Sequence, residues 1–506
     1  MDGTHLVILQ DLKGKWMNKC NTKENLIGII SSFIVGIVFG FNSSFHPWRD
    51  GNLGIDSSVF STIAFMMDKG YVPYKDSFDH KGPIIYILNW CGNRIDRFGG
   101  LWTIEVLVLF ITFFLIYKIA CMQCNEFSSI VVVLISASLL FEYYQGGNFT
   151  EEYAMPCIAA AIYIFLDYIN NARISKKRLI ISGMCLGIVL MLRPNMISIW
   201  LVYSIYIGFI LINEKEFSKI LYFAKWFILG ITIIIIPLLI WMALHSDINY
   251  FIHDYIIFNI RYSSSQGGRA DFTSRIKSFY YFFNNPIVLV TFICTFYYCK
   301  SYKTHIYFIY LVLTLILMVM SGDSFAHYGM VLVPAVAYPV CLMFKNIENV
   351  EILQVGKLIK FIVVTYLLTT IVFPKWMPLL EESIDIYNNR DNSEESEIVR
   401  IVDELTLDDE AISVYGIWNE VYLKSNRPHA TRYSYQFPIG EVMPQIMDEY
   451  MIQLQKEQPR VIVVEGGKYD ERIQSFLEKN GYILYYSEDE DIRYCGSVFL
   501  KIDENQ

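Results

Sequence analysis

Between Asp56 and Pro83 the chain brings together residue types that can move a proton and hold a phosphate. The carboxylate of Asp56 can accept a proton from a hydroxyl or ligate a divalent cation such as Mg or Mn. An ordinary helix N-cap is the competing structural account. Asp79, His80 and Lys81 form a dense polar cluster before Gly82-Pro83. A lysine ammonium suits a phosphate as a point charge, and a solvated loop with a snorkelling lysine explains the same residues. The segment with Tyr143, Tyr144, Gln145, Asn148, Glu151 and Glu152 sets two carboxylates against an apolar run. That is costly unless they are hydrated, paired or placed at a helix N-terminus. One of them could share a cation with Asp56. Arg193 ends another apolar run, as a phosphate ligand or an interfacial anchor. His327-Tyr328 follows Asp323 at the start of a late run, where a lone histidine is commonly structural. Arg261 and Arg269 flank Gln266-Gly267-Gly268, a mobile substrate loop or a plain solvated one.

These residues must be positioned by apolar helices. Of 506 residues 54% are hydrophobic and 18% charged, too few charges to clothe a soluble protein of this length. A crossing helix needs about 20 apolar residues. Eleven candidate spans follow, at 26–45, 101–119, 127–143, 153–169, 179–192, 195–212, 221–245, 286–299, 306–320, 325–344 and 358–374. Pro194 parts the fifth from the sixth, or kinks one helix. Lys13, Lys15, Lys19, Lys23, Arg173, Lys176, Lys177, Arg178, Lys300, Lys303, Lys345 and Lys357 all fall on one side, while loops 144–152 and 321–324 hold no Lys or Arg. The positive-inside rule then places the N-terminus in the cytoplasm and the candidate site residues outside. No cleavable signal peptide is expected, because the first apolar run is too long and lacks a small-residue cleavage site. Within the long first outer loop, Val59, Phe60, Ile63, Ala64 and Met67 share a face, which predicts an interfacial helix. A second is expected from Pro83, a residue that favours the first helical position.

The charge is divided. Residues 375–506 hold 13 Lys+Arg against 27 Asp+Glu, leaving 28 against 23 in the first 374. This predicts a membrane domain, 1–374, and a small extracytoplasmic α/β domain, 375–506, and argues against a nucleic-acid partner. Strands are expected at Ala411–Tyr415, Val461–Val464 and Ser497–Ile502, and helices at Val442–Gln455 and Asp470–Lys479. An acidic, solvated stretch is expected from Glu381 to Glu410. Most of the ten cysteines lie in apolar runs. Cys121 and Cys124 have C-x-x-C spacing without a second pair, and Cys91 and Cys495 fall outside the membrane as a conceivable disulfide. The abundance of Ile, Lys, Asn and Tyr suggests a bacterial host, so the expected location is the bacterial plasma membrane.

The stretch from Asp56 through Tyr71-Val72-Pro73-Tyr74 to Phe78-Asp79-His80-Lys81-Gly82-Pro83 resembles the first outer loop of bacterial GT-C-fold glycosyltransferases. These are integral-membrane enzymes related to protein O-mannosyltransferases and to lipid A aminoarabinose transferases. Arg193-Pro194, His327-Tyr328 ahead of Pro334, and the tail segments Val414-Tyr415-Gly416, Tyr422-Leu423-Lys424-Ser425 and Thr431-Arg432-Tyr433 extend the likeness. The resemblance implies transfer of a sugar from a polyprenyl-phosphate carrier in the membrane lipid to an acceptor glycan, lipid or protein, usually with inversion. By position Asp56 would be the catalytic carboxylate, as base or cation ligand, with Glu151 or Glu152 assisting. Lys81, Arg193 and His327 would hold the lipid phosphate, with Asp79, His80, Arg261 and Tyr328 as further substrate contacts. Three rivals stand beside it. A transporter or flippase of a lipid-linked saccharide should show paired repeats and interrupted spans, and no repeat is visible. An O-antigen-type ligase or polymerase places arginines in a late outer loop, as Arg261, Arg269 and Arg275 are placed here. A membrane-tethered binding protein would leave the elaborate first loop without a role.

Overall fold

The computed structural model describes residues 22–49, 53–97, 99–171, 174–265, 272–298, 302–320, 324–348, 353–389, 396–487 and 496–502. Lys13, Lys15, Lys19, Arg173, Arg269, Lys300, Asp323 and Cys495 lie outside them. The chain divides into two compact units. One gathers the described residues of Met1–His46, Trp102–Leu238 and Gly268–Asp385; the other gathers Pro47–Leu101, Leu239–Gly267 and Ile386–Gln506.

The first unit is a bundle of apolar helices. Among the described residues six are long and apolar enough to cross a membrane: Lys23–Gly40, Gly100–Ala120, Thr150–Asn171, Phe217–Leu244, Ala326–Ile347 and Val355–Asn388. The pair Phe272–Phe283 and Pro286–Tyr298, bent by 84°, makes a seventh if it is one span. All eleven expected segments are helical. Those at Glu126–Leu140, Lys176–Leu190, Ser198–Asn213 and His305–Met318 have 17 residues or fewer. At about 1.5 Å per residue such helices fall short of the roughly 30 Å hydrocarbon layer. Pro194–Met196 forms a short turn between two helices rather than a kink in one. On Phe217–Leu244 the side chains of Leu229, Ile233, Ile236, Ile240 and Leu244 stand exposed along one stripe. Helical spacing puts these residues on one face, and in a multi-pass membrane protein that face meets lipid. Thr150–Asn171 is buried along most of its length and lies at the centre.

Close helix crossings rest on glycines, since lipid supplies no hydrophobic drive between helices and packing must. A Cβ on Gly183 would meet Phe227 O at 2.1 Å, and one on Gly230 would meet Ile180 O at 2.2 Å. Both obstacles are backbone, which cannot step aside as a side chain can.

The second unit is built from three stretches of chain. Its interfacial helices form where the amphipathic pattern placed them, at Ile55–Asp68 and at Pro83–Ile95 with Pro83 in the first turn. The tail carries a four-stranded sheet of β1 (Ser413–Tyr415), β2 (Val461–Glu465), β3 (Tyr482–Ser487) and β4 (Gly496–Lys501), in the order β1-β2-β4-β3. β1 runs parallel to β2, and β4 is antiparallel to both its neighbours. The all-buried run Val461–Val464 makes the central strand. Two expectations need correction. Part of the acidic stretch is the helix Glu397–Leu405, whose Ile398, Val399, Ile401 and Val402 are buried and join the sheet's core. The last span also continues as helix through Asn388. Cys91 is a free thiol, and Cys121 and Cys124 are buried free thiols.

Gly230→Leu is expected to force the Lys176–Leu190 and Phe217–Leu244 helices apart and cost about 1–3 kcal/mol. Ile236→Leu on the lipid-facing stripe should leave stability unchanged. Thermal unfolding in detergent compares the two, and equal midpoints would contradict the close crossing.

Candidate active site

In the second unit the cluster is organised around Asp79. Its side chain is 2% exposed. Tyr86 donates its hydroxyl to Oδ2 at 2.7 Å, and Tyr435 donates to Oδ1 at 2.8 Å. His80 Nδ1 lies 3.3 Å from Oδ1. Burial works to raise the Asp79 pKa, but the His80 bond and charge, Lys81 and the Tyr86 hydroxyl hold its carboxyl well below the usual carboxylate range. His80 itself is pushed down by burial and by the Lys81 ammonium, against the pull of Asp79. A neutral ring fits both neighbours. Nε2 accepts from Lys81 Nζ at 3.0 Å, which leaves the proton on Nδ1, facing Asp79. The ring stacks on Tyr262 at 5.6 Å, and Asn259 donates to the His80 carbonyl at 2.6 Å.

Lys81 is steered from its backbone. Its carbonyl accepts the Tyr74 hydroxyl at 2.7 Å and shares that of Tyr86 at 3.2 Å. Tyr74 adopts a left-handed conformation, φ 62°, at the turn that sends the chain back. The ammonium lies 5.9 Å from the centre of the Phe60 ring. Phe60 stands one turn along the helix from Asp56, on the same face. Asp56 is the second residue of that helix, after an N-cap at Gly54, so the N-cap account of it does not hold. It is half-buried in the first turn, where the helix dipole favours a negative charge. Among the described residues no hydrogen bond or ion pair occupies its carboxylate, though its charge acts on His80 and Tyr435.

The tail holds this loop. Phe78 N donates to Arg432 O at 2.8 Å, Ser77 Oγ meets His429 Nε2 at 2.9 Å, and Arg432 Nε donates to Tyr74 O at 2.7 Å. The Arg432 guanidinium pairs with buried Asp254. Arg261 is exposed on the helix Phe258–Ser265, not in a loop, and joins none of these contacts.

In the first unit Glu151, Arg193, His327 and Tyr328 come together. Glu151 is 2% exposed and pairs with Arg193. The guanidinium lies 3.9 Å from the centre of the Tyr328 ring. His327 stacks on Phe149 at 4.2 Å and meets Gln145 Oε1 through Nδ1 at 3.2 Å. Glu152 is engaged differently, accepting Asn148 N at 2.8 Å. This closes a turn in which Gln145, Gly146, Gly147 and Asn148 all have positive φ, 48°, 88°, 84° and 59°. The glycines are required there: a Cβ on Gly146 would meet Ser44 Oγ at 2.3 Å, and one on Gly147 would meet Glu105 Oε1 at 2.5 Å. Tyr86, Tyr435 and Asn259 were not singled out from sequence, and Gln145 was noted there without a role. Tyr435 lies 356 positions from Asp79, and no local pattern joins them.

Among the described residues no three His, Cys, Asp or Glu side chains gather as a metal site.

Residues 25–358 match the model of the Competence-induced Ccs4 N-terminal domain family. The chain belongs to this family. No curated protein matches the Ccs4-family chain in sequence. Among solved structures it is similar to ArnT from Cupriavidus metallidurans bound to undecaprenyl phosphate, with a TM-score of 0.60 and 12% identity over 94% of this chain and 98% of that one. The apo state of the same ArnT gives 0.58 and 11% over 94% and 97%. An Archaeoglobus fulgidus oligosaccharyltransferase in complex with Zn and sulfate gives 0.47 and 8% over 92% and 72%, too distant to argue from. The Ccs4-family chain thus has the GT-C fold that its first loop resembles.

Burial pushes Asp247 up to about 7 and Asp254 up to about 6, the latter against the pull of Arg432. Both exceed the unfolded value near 3.8, so between these limits the folded chain holds protons that the unfolded chain has lost. Stability is then fully present at low pH and declines as pH rises through the window. His429, pushed by burial down to about 4, contributes the opposite slope, so the test is a difference: the wild-type thermal midpoint minus that of Asp247→Asn should fall as pH rises from about 4 to about 7. A difference that rises or stays flat over this range would refute the assignment. Glu151→Ala strands the Arg193 guanidinium and should cost about 3–5 kcal/mol, read by the same unfolding assay.

Proposed function

We propose that this chain is a glycosyltransferase that moves a sugar from a polyprenyl-phosphate carrier to an acceptor hydroxyl on the outer side of the bacterial plasma membrane. The observation that carries the reading is that Asp56, a half-buried carboxylate without a described partner, stands in the first turn of the helix whose Phe60 ring lies 5.9 Å from the Lys81 ammonium, which also meets His80 Nε2. The fold supports it, because ArnT shares the architecture and was crystallised with undecaprenyl phosphate. The N-terminus is cytoplasmic in this reading, 1–374 form the membrane domain, and 375–506 lie outside.

Asp56 takes the proton of the acceptor hydroxyl as its oxygen attacks the anomeric carbon. The bond from that carbon to the phosphate oxygen breaks, and both its electrons leave with the lipid phosphate. A phosphate leaving group needs positive charge more than a proton, and Lys81 supplies it. Helix rigidity keeps Asp56 in place, which is worth more than proximity alone. No step of this reading passes through a cation. The transporter reading is less favoured, because neither Asp56 nor Lys81 sits within a span.

In proteoliposomes loaded with radiolabelled polyprenyl-phosphate sugars, Asp56→Asn should lower turnover about 100-fold or more while donor binding persists. Lys81→Ala should weaken donor binding and turnover together. Full transfer by folded Asp56→Asn would sink the catalytic role.

A further inference from the structure

The second unit contains a cleft that the donor chemistry does not use. It encloses about 830 Å3 between the first outer loop, the 239–267 segment and the tail. That falls within the roughly 300–1,000 Å3 of ordinary small-molecule sites. Its lining excludes several ligands. Only alanines and a proline supply aliphatic surface, so a lipid chain finds no bed. Asp76, Glu410, Glu449 and Glu457 are matched by as many lysines and arginines, so neither a polyanion nor a polycation is favoured.

What remains suits a polyhydroxyl ligand. Tyr71 and Tyr250 line the cleft and are each 41% exposed, large apolar faces that water covers poorly. Such rings pack well against the C–H faces of a sugar while keeping a polar tip. Hydrogen-bonding groups line the same cleft, Asp76, Glu410 and Gln453 each with one backbone donor on an oxygen. Asp76 Oδ2 accepts Val72 N at 2.8 Å, and Glu410 Oε2 accepts Leu407 N at 3.1 Å. Gln453 Oε1 accepts Arg432 N at 2.7 Å, which leaves its amide hydrogens as donors. The wall is rigid, since Arg432 is held by Tyr74 O and Asp254 and backs Tyr250 at 5.1 Å. A preorganised set of acceptors, donors and aromatic faces lowers the cost of ordering on binding.

We propose that this cleft binds the glycan portion of the acceptor, a short neutral saccharide, with Tyr71 and Tyr250 as its stacking faces. The inference rests on the glycosyl-transfer reading for its purpose, not for its chemistry. The test presents the full chain in nanodiscs to an array of neutral oligosaccharides, with sulfated saccharides and unglycosylated peptides as further arms. Retention of at least one neutral saccharide is expected. Tyr71→Ala and Gln453→Glu, which keeps the oxygen but removes the amide hydrogens, should each weaken it about tenfold. Tyr71→Phe should retain it, which separates a lost stacking face from a misfolded chain. Retention of only sulfated saccharides or only peptides, no retention at all, or neutral binding indifferent to Tyr71→Ala would each overturn the proposal. Donor turnover by the wild type, measured separately, keeps the two readings apart. Turnover without glycan retention removes the cleft alone, whereas Tyr71-dependent retention without turnover removes the transferase.

Discussion

A buried carboxylate must be either neutral or fully provided with donors, and Asp79 is held in the second way. Its oxygens take hydroxyls from Tyr86, on the second interfacial helix, and from Tyr435, in the tail. Losing either would leave charge buried without compensation, so the three elements are locked to one geometry. Much of the loop's conformation follows. Tyr86 reaches Asp79 only if the chain turns back after Tyr74, and the turn puts the Tyr74 and Tyr86 hydroxyls on the carbonyl of Lys81. The backbone of Lys81 is thus held at its carbonyl, and its ammonium meets His80 Nε2.

The same constraint operates in the first unit by a different device. There the 145–148 turn has four positive φ angles in succession, two of them at non-glycine residues. Such positions cost roughly 1–3 kcal/mol each and persist only where surroundings over-determine them. Glu152 closes the turn from below through Asn148 N, and Ser44 N holds the carbonyl of Gly146. The result presents Gln145 to His327. Glu152 therefore works as a loop anchor, while its neighbour Glu151 meets Arg193.

What could be read from sequence follows the range of each signal. Apolar runs and the face formed by Val59, Phe60 and Ile63 are local, and the helices formed on them. The run Val461–Val464 marked the central strand because a strand buried on both faces needs no alternation. β3 was missed because Tyr482–Ser487 is an edge strand with most side chains exposed, so no polar alternation marks it. The amphipathic helix Glu397–Leu405 was hidden in a stretch that overall acidity made look solvated. Asp79, His80 and Lys81 were visible as a cluster, but the partners that give them roles come from the tail and from Asn259, far along the chain.

Three carboxylates singled out by type now differ by what neutralises them. Asp79 is saturated by hydroxyls and an imidazole, so it has little capacity left for a substrate and serves as a fixed support. Glu151 is paired with Arg193, and that pairing also engages the cation. An arginine already bound to a carboxylate and stacked on Tyr328 offers a phosphate less net charge than an unpaired one would. Its service to a phosphate would require Glu151 to yield. Asp56 alone of the three keeps its oxygens without a described partner. In the proposed transfer reaction a proton acceptor needs such oxygens, because lone pairs committed to other donors cannot take a proton from a hydroxyl.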